Sequence, residues 1–361
     1  MKYIIQIIRF FVGGLFVLSG FVKLVDPKGT SYKLYDYFAE DVLNLTFLQD
    51  FVLPLSFVFV VAEVILGIFL LLGIFKKFTV YSLLGLIVFF TFLTFYSAYF
   101  DKVKDCGCFG DALKLKPWKS FYKDLILLIT IIILLIGQRY IQPLFSTKLN
   151  LTLATMTTVI SFVIAYWGIE RLPIIDFRPY AIGENLKENI KDVKEPIIQI
   201  NYTLKNSKTG KSKVIDSKTY VNEDWWKNKD WEMQSDLTTE EVIDEGIPAR
   251  IHDFVIQDEE FTNTILNQNQ VFLIINYDPL TLEEQTRLYS FIDHLKKEKK
   301  IYYVLSSEEM EGIDKVYSLD GTVLKTMIRS SPGVILIDKG IVKRKWHWKE
   351  LSELEKLKSF K

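Results

Sequence analysis

Residues 105–111 read Asp-Cys-Gly-Cys-Phe-Gly-Asp, and Cys106 and Cys108 are the chain's 2 cysteines. Two thiols separated by one glycine can close on each other, because glycine tolerates the backbone angles that let the sulfurs approach. Three chemistries stay open for such a pair. It can cycle between dithiol and disulfide, it can staple the loop, or it can give two thiolates to a soft metal ion. A metal would need further ligands, and His252, His294 and His347 all lie far along the chain. For redox work the thiolate fraction matters. Lys102, Lys104 and Lys114 would lower a cysteine pKa, and Asp105 and Asp111 would raise it. A ring this small tends to be more oxidising than a relaxed structural bridge.

The loop sits between two strongly apolar segments, so its sulfur chemistry is placed at a membrane surface. Five apolar runs, 3–25, 51–75, 78–100, 121–139 and 151–168, are each long enough to cross roughly 30 Å of hydrocarbon as helices. Glu63, in the middle of the second run, would cost several kcal/mol as a lone carboxylate and must be protonated or partnered. It is a candidate proton relay, a quinone-site contact, or a neutral hydrogen-bond donor. Thr91, Thr94, Tyr96 and Ser97 in the third run could line a path from Glu63 toward the cysteines. Lys23 is expected to snorkel outward from the first run, and Asp26-Pro27 to stop that helix.

The first run carries Lys2 and Arg9 but lacks a small-x-small cleavage site, and it reads as a retained anchor rather than a signal peptide. With 44 basic and 44 acidic residues, the chain has no field for nucleic acid. Orientation brings two arguments into conflict. With the N-terminus inside, Lys2, Arg9, Lys76, Lys77, Arg139 and Lys148 make 6 cytoplasmic basic residues. The opposite flanks hold 9: Lys23, Lys28, Lys33, Lys102, Lys104, Lys114, Lys116, Lys119 and Arg171. The positive-inside count thus favours the reverse topology. A useful dithiol favours the oxidising side, which puts the N-terminus in the cytoplasm and the loop and C-terminal half outside a bacterial inner membrane.

Ser19-Gly20 with Lys23 and Asp26-Pro27, the in-membrane Glu63, and Cys106-Gly107-Cys108-Phe109-Gly110 ahead of Pro117-Trp118 and Lys123-Asp124 together resemble the DoxX family. The likeness is narrower to its branch related to the methylamine-utilisation protein MauE, and it covers about residues 1–140. It implies a four-helix membrane bundle and, for MauE-like members, a part in making or delivering disulfides outside the cytoplasmic membrane. Residues 150–170 would add a fifth transmembrane helix.

Beyond Arg171-Leu172-Pro173 charged residues become frequent. A Pro-punctuated linker leads into a small β-rich module within 171–250, in which alternating runs at 197–204 and 213–221 flank Lys208-Thr209-Gly210 as a hairpin. Trp225, Trp226 and Trp231 would supply a small core or lid. Residues 252–361 read as a strand at 271–277, a helix at 282–297, a strand at 301–306, a hairpin from 333–338 and 341–346, and a closing helix. This order, with Pro332 before the hairpin, resembles the thioredoxin fold, in which the proline at that point is usually cis and faces the active site. Where a working thioredoxin has Cys-x-x-Cys, this chain has Asn276-Tyr277-Asp278-Pro279. The module is therefore expected to be catalytically silent: it would recognise an extended client, dock a partner, or cover the cysteine loop.

The leading reading is a thiol-disulfide component of the cell envelope, a membrane oxidoreductase part acting through Cys106 and Cys108. Glu63 would manage protons, and Lys23, Asp26 and Pro332 would serve partner contacts. No second cysteine pair exists to relay electrons, so they would pass to a quinone or to another protein, either an envelope client or a redox partner. A non-catalytic assembly or scaffold protein is the alternative, and solute transport through the bundle ranks last because broken spans and inverted repeats are missing.

Overall fold

The computed structural model describes all residues except 104–106, 108, 114, 192–193, 195–196, 245–248, 252 and 355–361. The first half is a helical bundle built from α1 (Lys2–Val25), α2 (Pro27–Phe38), α3 (Val52–Leu72), α4 (Lys76–Phe100), α5 (Pro117–Ile136) and α6 (Thr147–Glu170). Among the described residues four helical segments are long and apolar enough to cross a membrane: Lys2–Val25, Thr46–Leu72, Lys76–Phe100 and Thr147–Glu170. The span expected at 121–139 is α5, which carries Lys119, Lys123 and Asp124 in its first turns and is not one of these four. It belongs to the bundle all the same. Its Leu127, Ile131 and Leu134 share a core with Ile5, Val12 and Phe16 of α1, Leu66 and Leu70 of α3, and Val80, Leu83 and Ile87 of α4.

Close backbone approach fixes α1 against α3. A Cβ added at Gly67 would lie 2.9 Å from Val17 Cγ2, 3.0 Å from the Val17 nitrogen and 3.1 Å from the Gly13 carbonyl. Small residues at such crossings are what let helices pack tightly in lipid, where apolar burial alone gives no drive. The far end of α3 is capped twice. Gly73, at φ +70°, closes the helix through its N–H to Phe69 and Leu70 carbonyls. The buried guanidinium of Arg9 donates to the carbonyls of Leu70 (2.8 Å), Leu71 (2.5 Å) and Gln142 (2.8 Å), satisfying acceptors that lipid cannot.

Asp26 ends α1 and begins α2. Its carboxylate takes the Gly29 N–H at 3.0 Å as an N-cap, with Pro27 in the first turn. The sequence reading stopped the first helix here correctly but expected no second one. Helix α2 instead lies across the bundle mouth, with Leu34, Tyr37 and Phe38 buried against Leu93 and Val103.

Beyond α6, α7 (Leu186–Asn189) precedes β1 (Ile197–Asn206), β2 (Ser212–Asp216), α8 (Ser217–Asn222) and β3 (Trp231–Asp244). The three strands form an antiparallel sheet in the order β2-β1-β3. The expected hairpin is present. The run continued to residue 221 in sequence turns helical at Ser217, because Asp216 accepts the Thr219 N–H and caps it. The long third strand β3 was not expected, and Trp231 is its first residue.

The remaining elements are α9 (Glu259–Asn267), β4 (Val271–Asn276), α10 (Leu282–Lys297), β5 (Ile301–Ser306), β6 (Val316–Ser318), α11 (Gly321–Met327), β7 (Gly333–Asp338) and β8 (Ile341–His347). They make a five-stranded mixed sheet, β6-β5-β4-β7-β8, with β4 parallel to β5 and antiparallel to β7. All six residues of β4 are buried, and their alternation splits two cores. Val271, Leu273 and Ile275 pack with α9 and α11; Phe272 and Ile274 pack with Leu288, Phe291 and Leu295 of α10. Helix α10 opens on a reciprocal capping box between Thr281 and Glu284. The Ser331–Pro332 peptide is cis, the isomer expected at that position.

Candidate functional site at the junction of bundle and C-terminal sheet

The two cysteines lie outside the described residues, as do Lys104, Asp105 and Lys114, but Gly107 and residues 109–113 of the loop are described. Gly107, between them in sequence, adopts φ +66°, a conformation open to glycine at little cost. Gly110 donates to the Gly107 carbonyl at 2.9 Å, and Phe109 bridges to Leu113. Lys33 of α2 covers Gly107, with Cγ 3.0 Å from where a Cβ would stand, and Lys123 Nζ lies 5.3 Å from the Phe109 ring centre.

Gly107 is also the roof of a chamber. About 50 Å³ is enclosed between α1, α2, α3, α4 and α5, lined by Ser19, Lys23, Glu63, Thr94, Lys123 and Asp124 beside apolar residues such as Phe16 and Phe90. Lys23 does not snorkel. It is 5% exposed, pairs with Glu63 Oε2, and sits 4.9 Å from the Phe90 ring centre. The expectation failed because an acid was waiting inside: a buried carboxylate offers a lysine on the facing helix more than the headgroup region does. The contact with Oε2 is one of charge and proximity rather than an aligned hydrogen bond. Opposite it, Asp124 of α5 accepts Thr94 Oγ1–H at 3.1 Å and the Lys123 ammonium at 2.6 Å. Two acid-base pairs therefore face one largely apolar-walled space that Gly107 of the cysteine loop also lines. That space accommodates a few water molecules. It is smaller than the roughly 300 Å³ or more of a typical small-molecule pocket.

Above the loop stands the edge of the C-terminal sheet. Arg329, three residues before the cis proline, is buried between the two halves of the molecule. Its Nε donates to both carboxylate oxygens of Asp26 (3.1 and 2.9 Å), and Nη2 donates to Asp111 at 2.6 Å. Burial opposes its charge, but Asp26 and Asp111 together hold the guanidinium above its ordinary pKa. Tyr32 of α2 lies under it, 5.3 Å from ring centre to guanidinium, and its hydroxyl meets that of Tyr277 at 3.5 Å. Lys28 donates to the Arg329 carbonyl at 3.3 Å. A second tie joins Lys349 to Glu170 at the end of α6.

The Asn276-Tyr277-Asp278-Pro279 segment leaves the end of β4 at this same edge. Ser331 Oγ accepts the N–H groups of Tyr277 (2.9 Å) and Asp278 (3.0 Å) and donates to Asn276 Oδ1 at 3.1 Å. Between this edge and α2 opens a cleft of about 1050 Å³, lined among others by Tyr32, Lys33, Lys116, Asp278, Lys325 and Trp348, with Asp111 on its wall. Burial raises the Asp278 carboxyl above the usual range, as it does Asp36 at the same cleft. The linker that leads here is pinned as well. Asp176 pairs with Arg178 and with Lys345 of β8, and against the pull of burial these charges hold its carboxyl below the usual range.

Of the residues singled out in sequence, the structure brings Lys23 to Glu63 in the chamber and Asp26 to within one arginine of the segment ending in Pro332. His347 lines the interdomain cleft beside Trp348, His294 stays on α10 of the C-terminal sheet domain, and His252 lies outside the described residues. Arg329 was missed, and no sequence signal could have found it, because Asp26 is 303 residues away. Asp124 had a signal: an acid one residue past Lys123 in an otherwise apolar helix.

Four apolar spanning helices joined to a β-rich C-terminal region with two sheets define a multi-pass membrane protein. The family model described as methylamine utilisation protein MauE matches residues 1–137, the stretch holding the chamber, Asp26 and the cysteine loop. No curated protein and no solved structure matches the chain.

Proposed function

We propose that this protein is a thiol-disulfide exchange component of the bacterial envelope, with the cysteine loop and C-terminal region on the extracytoplasmic face. The observation that carries the reading is the position of Gly107: the residue between the two cysteines roofs a buried chamber holding two acid-base pairs. A loop that was only stapled would not need charged groups buried beneath it at the cost such burial entails. The C-terminal region acts as a thioredoxin-like module without its own sulfur, a reading supported by the strand order, the cis Pro332 and the docking of that edge over the loop.

In this scheme a client thiolate enters the interdomain cleft and attacks one sulfur of the Cys106–Cys108 disulfide. The other sulfur leaves as a thiolate and takes a proton, which the Lys23–Glu63 and Lys123–Asp124 pairs can supply through chamber water. A second client thiol resolves the mixed disulfide. Two electrons pass from client to the loop pair, and the disulfide of an envelope redox partner removes them again, so that each exchange is balanced in protons. In this scheme the electrons leave the loop pair to the disulfide of a redox partner, or to a quinone reached outside the chamber.

The test is thiol labelling in intact cells with a membrane-impermeant reagent, before and after mild reduction, together with Cys106→Ser and Cys108→Ser variants. Labelling only after reduction, and a client trapped as a mixed disulfide by one single-Ser variant, are expected. Cysteines that face the cytosol, or Ser variants that keep full function at normal expression, would instead favour the scaffold reading.

A further inference from the structure

We propose that Arg329 is a positioning residue for the cysteine loop, so that the C-terminal sheet domain acts as a clamp on its own membrane domain, with the cis-proline edge occupied in part by that contact. The inference builds on the thiol-exchange reading but is tested separately from it.

Arg329 joins two places that the bundle alone leaves apart. One is Asp26, the α1–α2 junction, whose backbone N–H donates to the carbonyl of Lys23 at 3.2 Å. The other is Asp111, three residues beyond Cys108 on the outgoing arm of the loop. One planar guanidinium reaches both carboxylates, a geometry that a lysine ammonium does not reproduce. The fit is tight on the membrane side too: a Cβ at Gly29 would stand 2.8 Å from Arg329 Nη2 and 2.8 Å from Asp26 Oδ2. Within its own domain the arginine is held by Nη1 donating to the Lys325 carbonyl, and from the bundle side Lys28 of α2 donates to its backbone carbonyl at 3.3 Å. The clamp therefore has an anchor in the sheet domain and three contacts in the bundle half, Asp26, Lys28 and Asp111, of which only Asp111 belongs to the loop.

A simple interdomain tether would not discriminate between its contacts. Lys349–Glu170 ties the same two halves but touches no part of the loop. That difference gives the test. In the full-length, fully reduced protein in detergent, alkylation rates of Cys106 and Cys108 by a charged maleimide are measured for Asp111→Ala, Asp111→Glu, Arg329→Ala and Lys349→Ala. With rates taken per thiolate from the pH dependence of alkylation, so that the lost Asp111 charge does not itself count, Asp111→Ala is expected to raise the rate about tenfold, the population change that loss of one charge-assisted hydrogen bond gives. Asp111→Glu should stay near the parent rate, and so should Lys349→Ala. Arg329→Ala, if it folds, should match or exceed Asp111→Ala. An Asp111→Ala rate within about twofold of the parent, or an equal rise in Lys349→Ala, overturns the proposal. Alkylation needs no turnover, so cysteines that never cycle would defeat the thiol-exchange reading and leave this one standing.

Discussion

Replacing Glu63 by leucine leaves the Lys23 ammonium inside the bundle without the carboxylate it pairs with, beside the Phe90 ring at 4.9 Å. Lys23 and Glu63 are 5% and 4% exposed, so water offers little relief. Breaking a buried ion pair from one side costs about 3–5 kcal/mol, whereas replacing both partners by apolar groups of similar volume is close to neutral. Glu63→Leu and Lys23→Met should each lose about 3 kcal/mol or more, and the double variant should return to within about 1 kcal/mol of the parent. For a domain of this size that corresponds to roughly 10 °C in apparent melting temperature. Thermal unfolding in detergent, followed by intrinsic tryptophan fluorescence, reads all four proteins. Losses that simply add in the double variant would refute the pairing, since two independent side chains have no coupling energy.

Two further outcomes follow from other parts of the structure. Burial, aided by Lys28, Lys349 and Arg171, pushes His347 down to about 3, and its Nδ1 accepts the Lys349 N–H; the unfolded chain protonates near 6.5, so stability should fall on acidification across that interval by at most about 1.4 kcal/mol per pH unit, a slope that His347→Gln should flatten in pH-dependent denaturation. At the α1–α3 crossing, Gly67→Val should separate the two helices, because even a Cβ there meets Val17 and the Gly13 carbonyl at about 3 Å, and a fall in thermal stability larger than that of a Gly85→Ala control, where nothing lies within 4 Å, is expected.

How much of this could be read in the residues depended on range. The apolar runs marked α1, α3, α4 and α6 to within a few residues, and α10, β5 and β7 fell where period and length placed them, because hydrophobic pattern and local turns decide such elements. Glu63 announced that it needed a partner, yet the sequence could not say which cation would answer, and Lys23 looked self-sufficient as an interfacial residue. Helix α2 was hidden because its polar residues resemble a loop until Asp26 is seen as an N-cap rather than a stop. Strand β3 was hidden by its acidity, with Glu232, Asp236, Glu240, Glu241 and Asp244 disguising a ladder partner of β1. The Arg329 junction depends on tertiary placement of segments from the two ends of the chain, which no local pattern encodes.

That acidic strand has a consequence for a protein crowded among its own copies. Strand β3 forms a border of its sheet, with backbone groups along one side that another extended chain could borrow. Five carboxylates over fourteen residues make an identical neighbour a poor match, since antiparallel stacking would set like charges against each other. The three-stranded arm should therefore remain solitary even where copies of the protein are dense.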